Sequence, residues 1–125
     1  MTENRISGII VSKAIEIHSK LGPGLLESVY HKVLVHELRK AGLAVESETV
    51  IPVVYDGIEF EFGFRADIIV EKKVIIEVKS VENIQPVHKK QLLTYLKTTG
   101  LKLGLLLNFN TALLKEGIVR VANGV

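Results

Sequence analysis

Three features of the sequence predict an α/β fold. Apolar residues recur every three to four positions as far as Ala41, alternate with polar ones between Ala44 and Ser80, and return to helical spacing from Ile84. An Asp56-Gly57 pair inside the alternating region is a strong hairpin-turn signal. Leu103 to Asn108 is almost wholly apolar, as expected of a strand covered on both faces.

Taken in order, the first helix is expected from about Asn4 to Leu21, where Ile6, Ile9/Ile10, Lys13/Ala14, Ile17 and Leu21 form one stripe. Thr2 or Asn4 can cap its start. Gly22-Pro23-Gly24 ends it, because glycine suits the position after a helix and proline cannot continue one. A second helix is expected from Leu25 or Leu26 to Ala41, closed by Gly42, with Glu27 in its first turn, where a negative charge suits the helix dipole. Val45 to Val54 reads as a strand that turns at Asp56-Gly57 into a long strand beginning at Ile58, with Gly63 as a bend or bulge. A second run, Val74 to Ser80, follows a polar break around Lys72. The third helix is expected over Ile84 to Thr99, closed by Gly100, and a strand over Leu103 to Asn108. One helical turn through Leu113 and Leu114 and an edge strand over Ile118 to Val121 complete the chain.

The alternation between Ile58 and Lys79 carries the chemistry. Ile58, Phe60, Phe62, Phe64, Ala66, Ile68 and Val70 are apolar at even positions, as are Val74, Ile76 and Val78, whereas Asp67, Glu77 and Lys79 are odd. Neighbouring side chains on a strand point to opposite faces, so burial of the even set puts Asp67, Glu77 and Lys79 together on the other face. This register requires an odd-length loop, most simply Glu71-Lys72-Lys73, which sets Asp67 directly across from Glu77. Two carboxylates ~4 Å apart repel by about 4 kcal/mol at an effective dielectric of ~20, so the pair should share a proton or bind a cation, most economically Mg²⁺ or Mn²⁺. Lys79 could then orient water or offset charge developing in phosphoryl transfer. The same spacing also suits a solvated hairpin face with an ordinary Glu/Lys pair.

Composition sets wide bounds. The 125 residues are enough for one domain over 1–125 with its own core, and 47% apolar with 24% charged residues is ordinary for a globular protein. A formal net charge of +2 permits a nucleic-acid partner without requiring one. The absence of cysteine excludes disulfides and thiolate metal sites and fits a cytoplasmic location. The polar start, Met1 to Arg5, and the lack of an apolar run of ~18 residues argue against export or membrane insertion. His18, His31, His36 and His88 show no metal-ligand spacing and read as structural or surface residues. No phosphate-binding glycine loop is present. Lys72/Lys73, Lys89/Lys90, Lys97 and Lys102 could form a basic rim for phosphates, or simply be solvated.

Gly24-Leu25-Leu26-Glu27-Ser28-Val29-Tyr30 resembles the signature of the bacterial and archaeal GxxExxY family. The resemblance continues through Phe64-Arg65-Ala66-Asp67, Glu77-Val78-Lys79, Gln91 to Leu96 and Leu106-Leu107-Asn108-Phe109, covering nearly the whole chain. That family looks like a compact branch of the PD-(D/E)XK nuclease superfamily. The resemblance implies a restriction-endonuclease-like core with a central mixed sheet flanked by helices, with Asp67 and Glu77 as metal carboxylates and Lys79 as the catalytic lysine. It also implies that Glu27 completes the metal shell directly or through water, and that Gln91 and Tyr95 correspond to the Q-x-x-x-Y helix signature of the exonuclease-like branch. Gln91 and Tyr95 share a helix face at i, i+4, which would equally suit local hydrogen bonding at the core edge. Ala66 stands where the superfamily name has proline.

The expected activity is metal-dependent hydrolysis of DNA or RNA phosphodiesters. Competing readings are a nucleic-acid-binding or assembly module that keeps the fold without turnover, and a hydrolase of a small phosphorylated molecule. A chain this short, lacking an appendage for reading DNA sequence, is expected to have low specificity, to work as a homodimer or with a partner subunit, or to be the binding module.

Overall fold

A computed structural model describes residues 1–124. The helices α1 (Glu3–Leu21) and α2 (Glu27–Lys40) precede the strands β1 (Val45–Tyr55), β2 (Ile58–Val70) and β3 (Val74–Lys79). Helix α3 (Pro86–Thr99), strand β4 (Leu103–Asn108), a 3-10 turn (Leu114–Gly117) and strand β5 (Ile118–Ala122) follow. One five-stranded sheet runs in the order β1-β2-β3-β4-β5, antiparallel except for the parallel β3–β4 pair that α3 connects. This is the expected mixed sheet flanked by helices. Among the described residues, no helix is long and apolar enough to cross a membrane.

Local chemistry sets the element ends. The Thr2 hydroxyl accepts the Arg5 N–H and caps α1, while Gly22, at φ 70°, closes it. Helix α3 starts two residues later than its apolar stripe suggests, because Pro86 occupies its first turn and Gln85 and His88 form a reciprocal capping box. That cap accounts for His88. Gly63 lies where the β1–β2 register shifts, and a Cβ there would meet Val53 Cγ2 at 2.2 Å, so the bulge requires glycine.

Both faces of the sheet are covered. Helices α1 and α2 pack Ile6, Ile10, Ala14, Leu34 and Leu38 against Ile68, Val70, Val74, Ile76, Val78, Leu103, Leu105 and Leu107. Helix α3 packs Leu92 and Leu96 against Ala66, Ile69, Ile75 and Leu106 on the other side. A Cβ on Gly104 would lie 2.8 Å from Leu92, so this glycine permits the close approach of α3.

The packing corrects the one-faced reading of the alternation. The even set is divided: Ala66 and Phe64 belong to the α3 side, whereas Ile68 and Val70 belong to the α1/α2 side. In β1 the same change separates Val45, on the α1/α2 side, from Ile51, on the α3 side. The physical cause is local. Pairing passes from Ser47↔Ile68 to Thr49↔Ala66, and the intervening Glu48 adopts φ 54°, so the pleat reverses phase opposite Asp67.

Candidate active site at the opening between two strands

The register between β2 and β3 is Val70↔Val74, Ile69↔Ile75 and Ile68↔Ile76, around a three-residue turn at Glu71-Lys72-Lys73. Continued by one step, it sets Asp67 across from Glu77, as the odd-loop argument requires. The backbone ladder stops there and the two side chains take over. Asp67 N–H donates to Glu77 Oε2 at 2.9 Å, and Val78 N–H donates to Asp67 Oδ2 at 2.9 Å. Each carboxylate therefore bridges to the opposite strand's backbone.

Both acids are held away from their ordinary titration. Burial pushes the Glu77 carboxyl up to about 7, and the neighbouring Asp67 charge adds to the rise; the Asp67 N–H and Lys79 oppose it. Burial also raises Asp67, against the pull of the Val78 N–H and then of His31 and Lys79. Lys79 acts from a distance, because the ion pairs within 4.0 Å among the described residues are Lys13–Glu16 and Lys20–Glu16.

Glu27 enters from the start of α2. Its Oε1 accepts the Ser80 N–H at 3.1 Å, the Ser80 hydroxyl donates to Leu25 O at 2.8 Å, and its charge reaches both Asp67 and Glu77. Behind it, Gly24 adopts φ 99° and the buried Tyr30 hydroxyl donates to Gly22 O and accepts the Leu25 N–H at 3.1 Å. The Tyr30 ring stacks on Phe109 at 4.5 Å. Glycine, glutamate and tyrosine thus work as a unit: the first permits the turn, the third fixes it, and the second is presented to the end of β3.

Tyr95 reaches the site from α3. Its ring stacks on Phe64 at 3.8 Å and 3°, and burial, then the Glu77 and Asp67 charges, raise its hydroxyl pKa. Gln91, one turn earlier, is exposed, and its side chain makes no hydrogen bond among the described residues. The basic rim is not continuous. Lys89 and Lys90 lie in the first turns of α3, near the carboxylate end of β3, while Lys72, Lys73, Lys97 and Lys102 lie toward the opposite end of the strand.

An open cleft of about 220 Å³ on the α2 side adds residues that the spacing argument did not single out: His31, Glu48 and Arg65 line it with Glu27, Ser28 and Asp67. His31 follows Glu27 by four residues on one helix, a spacing that could have revealed it. Its Nε2 lies 2.7 Å from Ser47 Oγ.

Among the described residues, no three His, Cys, Asp or Glu are close enough to cage a metal ion. The Asp67–Glu77 pair nevertheless suits a hard divalent cation. Mg²⁺ keeps several waters and needs only one or two carboxylates, and a cation would offset the burial and mutual repulsion that raise both acids.

The profile of the PD-(D/E)XK nuclease superfamily matches residues 4–121. The crystal structure of SSO0001 is similar in fold, with a TM-score of 0.54 at 23% identity over 98% of this chain. This chain spans 63% of the length of that one. No curated protein matches.

Proposed function

Because the chain belongs to the PD-(D/E)XK nuclease superfamily, we propose that it hydrolyses phosphodiester bonds of DNA or RNA with the help of a divalent cation, in the GxxExxY branch of that superfamily. The observation that carries this reading is the pairing of half-buried Asp67 with buried Glu77, held between two strands at a cost that a cation would offset.

Asp67 and Glu77 would hold Mg²⁺ or Mn²⁺, and Glu27, which accepts the Ser80 N–H, would complete the shell directly or through water. The cation would supply charge neutralisation for the phosphoryl oxygens and the attacking water. Lys79, at the end of β3, offsets negative charge developing on the phosphate. The two backbone N–H groups fix one oxygen of each carboxylate and leave the other to a cation. Tyr95, stacked on Phe64, closes the α3 side, and Gln91 lies one turn along the same face, facing arriving substrate. A nucleic-acid substrate and a cysteine-free chain support a cytoplasmic setting.

One observation favours the alternative of a non-cleaving assembly module. The outer half of the β1–β2 hairpin exposes Tyr55, Ile58, Phe60 and Phe62, an apolar strip of the kind that covers a partner.

A cleavage screen on single- and double-stranded DNA and RNA with Mg²⁺ or Mn²⁺ tests the proposal. Lys79→Ala should lower turnover by ~10² to 10³ while metal binding survives, and Glu77→Ala should abolish both. Cleavage undiminished in both variants, or none in the wild-type protein on any substrate, overturns the nuclease reading.

A further inference from the structure

Helix α2 carries a second cleft, of about 350 Å³, whose lining includes Lys32, His36, Arg39 and Ser47 and no acidic residue. It shares His31 with the carboxylate cleft, and the His31–Ser47 contact stands on the boundary of the two. Lys32, His36 and Arg39 follow one another at i, i+4 and i+7, which puts them on a single face of α2. Glu37, the acid nearest to them in sequence, lines a different hollow toward α1 with Glu16 and Lys20. Arg39 is braced by a 2.9 Å hydrogen bond from Nη2 to Val45 O, which holds its guanidinium against β1.

We infer that this face of α2 is the track along which the phosphodiester backbone of the substrate leaves the Asp67–Glu77 site. The inference rests on the nuclease reading and assigns the contacts that reading lacks, since most of the lysines first considered lie at the other end of the sheet. The dimensions agree. Glu27 and Arg39 are twelve residues apart, a rise of ~18 Å along the helix, and a B-form strand carries one phosphate per ~3.4 Å, so the track spans about five phosphates. Lys32 and Arg39 neutralise two of them. His31 and Ser47 offer polar groups at the junction, and Arg65 also lines the carboxylate cleft. By contrast, residues 49–64 contain Asp56, Glu59 and Glu61 and no lysine or arginine, so the hairpin repels a phosphate backbone.

Binding of short fluorescent DNA and RNA strands and their duplexes to the full chain, measured in EDTA so that nothing is cleaved, tests the track. Lys32→Ala and Arg39→Ala should each weaken binding on the order of tenfold at ~0.1 M salt and lower the slope of log K against log salt by ~1. Lys97→Ala and Lys102→Ala should change neither. Lys32→Glu, at an exposed position with no hydrogen bond to lose, gives the same reading if the Arg39 variant is unstable. Wild-type protein that binds neither DNA nor RNA, or binding that ignores the α2 substitutions, overturns the track. Cleavage with α2-independent binding would sink the track and leave the nuclease standing; α2-dependent binding without cleavage would sink the nuclease and leave this face as a phosphate-binding surface only.

Discussion

The two halves of β2 share one sequence pattern and have opposite fates. Ile58, Phe60 and Phe62 alternate in step with Phe64 and Ala66, yet Phe62 is 82% exposed and Ala66 0%. The difference lies in what can reach them. Thirteen residues of strand extend ~44 Å, whereas fourteen of helix extend only ~21 Å, so α3 can cover no more than about half of β2. Its cover ends where Tyr95 stacks on Phe64. Alternation therefore reports a strand, while burial is decided by the length of the neighbouring helix. The candidate site lies just inside the boundary, at Asp67.

Substitutions on either side of that boundary can break or sharpen the contrast. Ile75→Ala, at a fully buried position of the strand beside the inner half, should cost ~2–5 kcal/mol, read from the urea midpoint. A loss below ~1 kcal/mol would mean that burial is not what separates the halves.

At the boundary itself, stability should depend on pH. Glu77 titrates near 7 in the folded protein against an ordinary value of 4.5, so its contribution is fully present below about pH 4.5 and is lost as pH rises through 7. In the absence of metal, Glu77→Gln should remove most of this slope and be more stable than wild type at pH 8 by up to about 3 kcal/mol. Parallel pH profiles for the two proteins would show that Glu77 ionises freely.

Smaller effects belong to the arm. Gly63→Ala sets a Cβ against Val53 and the Ile51 carbonyl and should cost ~1–3 kcal/mol, with faster amide exchange in the hairpin while the Asp67–Glu77 region keeps its protection. Exchange that quickens equally in both regions would show that the halves unfold as one. Phe62→Ser should change stability by no more than ~0.5 kcal/mol and leave the melting temperature almost unmoved. A larger loss would mean that something covers the strip in solution.

Much of this architecture is legible in the sequence because local rules govern it. Asp56-Gly57 turns the hairpin, Gly22 and Gly100 stop helices, and parity alone yields the three-residue loop that sets Asp67 across from Glu77. The phase reversal is not legible, since nothing in the sequence marks Glu48 for a positive φ, a conformation imposed where the strands open around Asp67. Nor is the grouping of Lys32, His36 and Arg39 beside the carboxylate cleft, which exists only once α2 lies along β1. The G-x-x-E-x-x-Y signature is readable as a pattern, but its cause, a tyrosine pinning a turn from beneath while stacked on Phe109, is tertiary.

The hydrogen bonds that the two acids accept from the Asp67 and Val78 amides make the site report on itself spectroscopically. The N–H of Asp67 points at Glu77 and that of Val78 at Asp67, so a proton or a cation arriving on either carboxylate alters the charge at the end of one of these bonds. In a nitrogen-15 correlation spectrum, those two cross-peaks should move first and farthest, one following each acid. Two backbone resonances would then separate the titrations of a coupled pair that activity against pH could give only as a composite.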